Sequence, residues 1–286
     1  MLDKTMIETA ERIEFDGAAL KDAPAIKMSR RGLITGLACG TVIPIMSACT
    51  TNPETGANQF LLVGDDQIAT MALSAWTDLK KQTPQVSDER LRRRVLGVWN
   101  KIAIGANRAG QDWDVAVFDT DDVNAFVMPG NKVGVYRGIT ELTENDDQLS
   151  SVLGHEIGHV AGRHAAERFS LQVASQVGLA AGSIAIAQSE TGRRYGNEIA
   201  ALGGAALQFG VLLPYSRQHE LQADRLGVDY MHRAGYDVRQ SPRLWELMAE
   251  KSGGRRVPEF LSTHPDPGRR RQELINYINA RGYAFI

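Results

Sequence analysis

Cysteine is scarce in this 286-residue chain: there are two, Cys39 and Cys49, and none from Thr50 to Ile286. Two cysteines cannot frame a disulfide scaffold or a cysteine-rich zinc site. Net charge is nearly absent as well. Thirty-two Lys+Arg face 34 Asp+Glu, a formal −2 spread along the chain, so there is no electrostatic footprint for nucleic acid. Disorder is excluded by a hydrophobic fraction of 43%. The length is enough to bury a large core without staples, in one large domain or two small ones. The uncharged run from Gly32 to Ala48 is interrupted by Gly36, Gly40 and Pro44. As a helix it would measure roughly 26 Å, short for a permanent span.

That run reads instead as an export signal. Ser29-Arg30-Arg31 precedes the apolar stretch and resembles a twin-arginine address. The run ends in Ile45-Met46-Ser47-Ala48-Cys49, which resembles a lipobox with Met46 where leucine is usual. Lipidation of Cys49 would remove Cys39 and leave no free thiol; cleavage near Ala48 and an uncleaved anchor are the alternatives. The leader before Met28 is acidic, which is unusual for a signal and makes Met28 a second candidate start. The expected organisation is an export signal over residues 1–48 and a single domain over residues 49–286.

Within that domain, Asn52 to Gly64 reads as a loop with Pro53, Gly56 and Gly64. A helix is expected from Asp65, whose Ile68, Met71, Ala72, Ala75, Trp76 and Leu79 would form one buried face. A second should follow Ser87, with Leu91, Val95, Val98, Trp99 and Ile102 inward and Arg90, Arg92, Arg93 and Arg94 solvated. Alternation at Trp113 to Phe118 and again at Val133 and Val135 predicts short strands, joined by a turn at Pro129-Gly130. Asn131 to Tyr136 suits an edge strand or a core strand equally. A further helix is expected to start between Thr143 and Asp147, with Thr143 and Asp146 approximating a capping box. Beyond it, Phe169 to Ser216 reads as an Ala- and Gly-rich helical hairpin. Later helices should start at Ser241-Pro242, stop at Gly253-Gly254, and run from Arg269 to Ala280, with Arg269-Arg270-Arg271 as an exposed first turn.

His155-Glu156-Ile157-Gly158-His159 lies on the central helix. At 100° per residue, His159 falls about 40° round from His155, so both imidazoles can ligate one ion while Glu156 reaches a water on it. A catalytic zinc needs a third protein ligand and an open position. Three residues compete for that place. His164 would point to the opposite side of a continuous helix, and a histidine at 165 is lacking, since Ala165 stands there. Glu220 has Asp224 one turn further on, where a carboxylate can hold the outer N–H of a ligating imidazole. His264 stands in Ser262-Thr263-His264-Pro265.

Taken together, His155 to His164 (HEIGHVAGRH), Ser216 to Asp224 (SRQHELQAD) and Ser262 to Pro267 (STHPDP) resemble the HtpX- and CAAX-prenyl-protease-like family of zinc metalloendopeptidases, a gluzincin family. The closer resemblance is to its periplasmic BepA-like and LoiP-like branch and to mitochondrial OMA-type enzymes. Asn52-Pro53-Glu54-Thr55-Gly56 and Asn124-Ala125-Phe126 with Pro129-Gly130 carry it as well, so it extends over Asn52 to Leu274.

The resemblance implies an α+β, mainly helical fold, with a zincin-like core and a small sheet beside the motif helix. It implies one zinc ion on His155, His159 and Glu220, with Glu156 as catalytic base and Asp224 behind the ligands. His264 would lie at the open position or near the oxyanion, while His164 and Arg217 would serve packing and ion pairs. The implied partners are unfolded or misassembled envelope proteins, in a bacterial periplasm, with the membrane reached through a lipid anchor or signal helix. The second reading is a protease-like chaperone or binding module that keeps the metal site. Oligomeric state has no signature in the sequence.

Overall fold

The computed structural model describes residues 49–187, 216–252, 260, 264 and 266–283, with side chains in the helix after residue 163 described through Ser175. The export-signal reading of residues 1–48 and the second half of the expected Ala/Gly-rich hairpin lie outside these. Among the described residues no helix is long and apolar enough to cross a membrane.

In place of the expected loop, the domain opens with a short antiparallel hairpin, β1 (Cys49–Thr51) and β2 (Asn58–Phe60). Helix α1 (Asp65–Gln82) follows, with Asp65 and Asp66 at its positive end. Its buried stripe is narrower than the expected one: Ile68, Ala72 and Trp76 are buried, whereas Met71 and Ala75 are exposed. The buried positions lie four residues apart, along a single line of the helix. Helix α2 (Glu89–Gly105) is capped by Asp88, whose carboxylate accepts from the Arg90 and Leu91 amides. Its Val95, Val98, Trp99 and Ile102 are buried as the pattern requires, and Arg94 pairs with Asp146.

Three strands form the main sheet, β3 (Asp114–Phe118), β4 (Ala125–Met128) and β5 (Lys132–Tyr136), in the order β3-β5-β4. β3 runs parallel to β5 and β4 antiparallel to it. The turn at Pro129-Gly130 therefore joins β5 to β4, a strand that Ala-Phe-Val-Met does not announce by alternation. Asn131 to Tyr136 is the central strand, and β4 is the edge. One face of the sheet presents Val117, Val133 and Val135 to the main core; Ala116 and Phe118 face Trp76 of α1. Trp76 stands edge-on to Phe118 and Phe126 and donates to Asp114 Oδ2 at 2.7 Å.

After a short α3 (Arg137–Leu142), helix α4 (Asp146–Ala161) runs through the centre of the domain. Its cap is Asn145 rather than Thr143: the Asn145 side chain accepts the Gln148 amide at 2.9 Å. α5 (His164–Ala187) covers the first half of the expected hairpin. α6 (Arg217–Arg233) is capped by Ser216, and α7 (Gln240–Ser252) starts one residue before the expected Ser241. α8 (Pro267–Arg281) begins with proline in its first turn, where the missing N–H costs nothing.

The decisive packing is α4 against α6, the most extensive helix pair in the domain. It runs along a seam of small residues. A Cβ added at Gly158 would stand 2.6 Å from the Ala223 carbonyl oxygen, and one at Gly154 3.0 Å from that of Gly227. The two backbones touch, which brings the start of α6 beside the C-terminal half of α4.

Candidate metal centre

His155 and His159 stand one turn apart on α4 and turn their Nε2 atoms to one point, 3.0 Å from each other. Across the seam, the first turn of α6 presents Glu220, with Oε2 3.5 Å from His155 Nε2 and Oε1 3.5 Å from His159 Nε2. His264, whose amide donates to Phe260 O, places Nδ1 3.1 Å from His155 Nε2 and 3.1 Å from Glu220 Oε2. All four side chains are buried, and each offers a donor atom within 4.8 Å of the others. Donor atoms about 2.0–2.1 Å from a tetrahedral ion lie about 3.4 Å apart, so this spacing fits a metal. Imidazoles with a carboxylate form the nitrogen and oxygen donor set that divalent transition ions take. Among the described residues no other such group occurs.

The groups behind the cluster orient it. Asp224, one turn beyond Glu220, lies 2.9 Å from His155 Nδ1. A carboxylate there keeps the proton on Nδ1 and leaves the Nε2 lone pair for the site. A second chain sets His159. The Gln222 side-chain oxygen lies 2.7 Å from His164 Nε2 and accepts its proton, so His164 Nδ1 accepts from His159 Nδ1 at 2.9 Å and His159 Nε2 faces the site unprotonated. His164 is thus more than the packing residue expected of it. The helix ends at Gly162, and Arg163 adopts φ 53, so His164 folds back beneath His159 instead of pointing away. Gly162 is required there, because a Cβ would stand 2.2 Å from His164 Nε2.

Arg270 is the residue that sequence reasoning missed. Expected on an exposed first turn, it is 2% exposed. Its guanidinium stacks 3.9 Å over the Trp245 ring. Nη1 donates to Glu220 Oε2 at 2.6 Å, and Nη2 and Nε take the two Asp224 oxygens at 2.6 and 2.8 Å. Two buried carboxylates without a cation would be severely destabilising, and a planar fork of donors answers both. The neighbours, Arg269 and Arg271, reach solvent or Glu246. No signal in the sequence marks it, since it stands in the middle of a run of three arginines.

Burial dominates the electrostatics. It would raise Glu220 and Asp224, but hydrogen bonds from His155 and the Arg270 charge hold both below the usual carboxylate range, with His264 adding to the effect on Glu220. Burial pushes Glu156 up to about 7 against the His155 charge. It holds His159 well below the ordinary imidazole value and takes His164 and His264 down to about 4. His155 is the exception. Burial and Arg270 oppose its charge, yet Asp224 and Glu220 lift it to about 9, so a proton and a cation compete for its Nε2.

Glu156 stands beside the cluster. Its Oε2 accepts the Val127 amide at 3.2 Å, while Oε1 is buried with no hydrogen-bond partner, 3.5 Å from His264 Nε2. That amide belongs to the sheet edge. Tyr136 N–H donates to Asn124 O, so by antiparallel alternation Phe126 and Met128 bond inward, leaving Ala125 and Val127 to turn their polar groups off the sheet. Beside them a cleft of about 560 Å³ opens from His159, between Val127, Pro129 and Gly130 on one side and Pro53, Ile68 and Ala69 on the other.

Residues 87–278 match the model of the family described as peptidase family M48. The chain is 35% identical over 188 residues to mitochondrial metalloendopeptidase OMA1 of Schizosaccharomyces pombe, covering 64% of this chain and 52% of that protein. It is 29% identical over 257 residues to the beta-barrel assembly-enhancing protease of Escherichia coli, covering 86% and 51%. Against metalloendopeptidase OMA1 of Bos taurus the figures are 32% over 243 residues, 79% and 45%. The chain spans about half the length of the curated relatives it matches.

Proposed function

The chain belongs to peptidase family M48, and from that premise we propose that it is a zinc-dependent metalloendopeptidase with residues 49–286 as its single peptidase domain. The observation that carries the reading is the buried convergence of His155, His159 and Glu220 beside a carboxylate, Glu156, that has one oxygen unpartnered. His155, His159 and Glu220 would hold one zinc ion. When bound, zinc supplies Lewis acidity, lowering the pKa of a water and polarising a carbonyl.

Glu156 is the general base. The Val127 amide fixes one of its oxygens, and the other takes the proton of the attacking water and delivers it to the leaving amine. A value raised toward neutrality suits both steps. Asp224 orients His155, and Arg270 keeps the carboxylates ionised without entering the reaction. His264 stands at the fourth position of the cluster, where it either yields to substrate or steadies the developing oxyanion. The Val127 carbonyl, turned off the sheet while the Val127 amide holds Glu156, suits a main-chain hydrogen bond from an extended segment, which needs little side-chain preference. Extended segments are what unfolded chains supply, so misfolded or misassembled envelope proteins are the substrate class, a reading in keeping with the similarity to a beta-barrel assembly-enhancing protease. The site of action is the periplasm, with residues 1–48 as the export signal and Cys49, exposed at the start of β1, as the lipid-bearing residue.

Glu156→Gln tests this directly. The zinc-loaded full chain should cleave an unfolded casein, and the variant should lose activity on the order of 10²–10⁴-fold while still binding one zinc per chain. Cleavage undiminished in the variant would remove Glu156, and with it the assignment.

A further inference from the structure

The Asn52-Pro53-Glu54-Thr55-Gly56 loop has no part in the chemistry above, yet its first residue is 1% exposed and Gln59, on the returning strand, 4%. Their side chains reach more than 100 residues along the chain to one place, the C-terminal end of α4. Asn52 Nδ2 donates to Ala161 O at 2.9 Å and to Gln59 Oε1 at 3.1 Å. Gln59 Nε2 donates to Gly162 O and to Glu167 Oε2. Glu167 in turn lies 3.1 Å from His219 Nε2, and His219 directly precedes Glu220.

A helix leaves its last carbonyls without intrahelical partners. At the end of α4 the Gly162 and Arg163 amides bond Gly158 O and Val160 O, which leaves Ala161 O and Gly162 O, two and three residues past His159. Both residues are buried, so each carbonyl needs a donor. The loop aims those donors. Asn52 Oδ1 accepts the Glu54 and Thr55 amides, its backbone pairs with Ala57 and Gly56, and Gly56 at φ 68 closes the turn. With Oδ1 and the backbone engaged, only Nδ2 is free to point inward. Because Gln59 Oε1 is occupied by Asn52, its Nε2 is directed at Gly162 and Glu167.

We infer that Asn52 and Gln59 are positioning residues for the metal centre: the hairpin clasps the end of the helix bearing His155 and His159 and, through Glu167 and His219, the start of the helix bearing Glu220. It acts on the two helices at once, so it sets where Glu220 stands relative to the two histidines. This rests on the metal-site reading above. Partners of this kind, which orient metal ligands, are worth on the order of 10–100-fold in metal affinity or activity.

The test uses the full chain with Asn52→Asp, which keeps the loop's acceptor and removes the donor, and Gln59→Met, which leaves the loop intact. Thr51→Ala, an exposed change on the same hairpin, is the control. Far-UV circular dichroism and Tm report folding; chelator competition reports zinc affinity, and the visible spectrum of the cobalt-substituted protein reports ligand geometry. Both variants should stay folded, bind zinc about 10–100-fold more weakly, show a changed cobalt spectrum, and lose kcat with KM within about twofold of wild type. If Asn52→Asp does not fold at the assay temperature, Gln59→Met carries the test. Wild-type affinity and cobalt spectrum in the folded Gln59→Met variant would overturn the inference, whether or not Tm falls. Failure of the parent reading would look different: the wild-type chain itself would bind no zinc at this cluster.

Discussion

Helices α4 and α1 cover opposite faces of one three-stranded sheet, and they are held by different means. Thirteen of the 16 residues of α4 are buried, against three of 18 in α1. α1 needs only Ile68, Ala72 and Trp76 to stay in place, and the rest of its surface is free to be polar. α4 has no face left for water. Its polar groups depend on protein partners, and the histidines, one Glu156 oxygen and the terminal carbonyls find them in residues from α6, α8, β4 and the hairpin, leaving Glu156 Oε1 as the exception. The difference teaches that chemistry on a central helix depends on groups far away in sequence, whereas a covering helix is stabilised locally.

Substitutions on the two sides should therefore be alike in stability and unlike in function. Removing the Arg270 guanidinium with Arg270→Met leaves Glu220 and Asp224 buried without their permanent cation, at a cost of about 3–5 kcal/mol, and zinc affinity should collapse with it. Trp76→Ala opens a cavity of similar cost, about 3–5 kcal/mol, but zinc affinity per folded molecule should be unchanged. Denaturant titration together with chelator competition separates the two. Equal loss of metal binding in both would break the comparison.

A smaller pair sharpens it at the level of one methyl group. Gly158→Ala gains about 1 kcal/mol of helix propensity, but its Cβ meets the Ala223 backbone, and overpacking of about 1–3 kcal/mol should win and push Glu220 away from the histidines. Gly97→Ala on α2, where a Cβ meets nothing within 4 Å, should stabilise by about 1 kcal/mol without touching the site. Thermal melts of both variants check the opposite signs.

The smallest effect is expected with acid. Glu220 and Asp224 have folded values below their usual ones, so their stabilising contribution is full above about pH 4 and is lost as pH falls through the folded values. Burial holds His159, His164 and His264 below the ordinary imidazole value, so the metal-free protein should lose stability as pH falls from about 6.5 toward 4. The carboxylate contribution should persist to lower pH, and Arg270→Met should shift the acid-unfolding midpoint upward. A midpoint unmoved in that variant would mean that Arg270 does not hold the carboxylates ionised.

The motif at His155 to His159 was legible because both histidines and Glu156 lie within five residues on one helix, where rotation per residue decides the geometry. The long helices were legible too, since Val95, Val98, Trp99 and Ile102 repeat at helical steps. What was not legible depended on a partner element. Arg270 sits in a run of three arginines that reads as solvated until Asp224 and Glu220 are known to face it. Met71 and Ala75 fit an apolar face that the sheet does not cover. His164 was misdirected by a helix that breaks at Arg163. β4 lacks alternation because its edge position leaves both faces half covered. Gly154, Gly158, Ala223 and Gly227 repeat at four-residue steps on two helices, a match that carries meaning only once α4 and α6 are known to touch.

That seam has a consequence for tolerance in the mechanical sense. A contact between backbones contains no side chain that can change rotamer, so it behaves as a spacer of fixed thickness between the two halves of the ligand set. Loosening of the surrounding apolar core, by warming or by truncating a distant side chain, alters the packing around the spacer before it alters the spacer itself. Metal geometry should then persist undistorted almost to the unfolding transition and fail all at once. Core variants of this protein would accordingly differ in how long they survive and hardly at all in how the surviving molecules hold their ion.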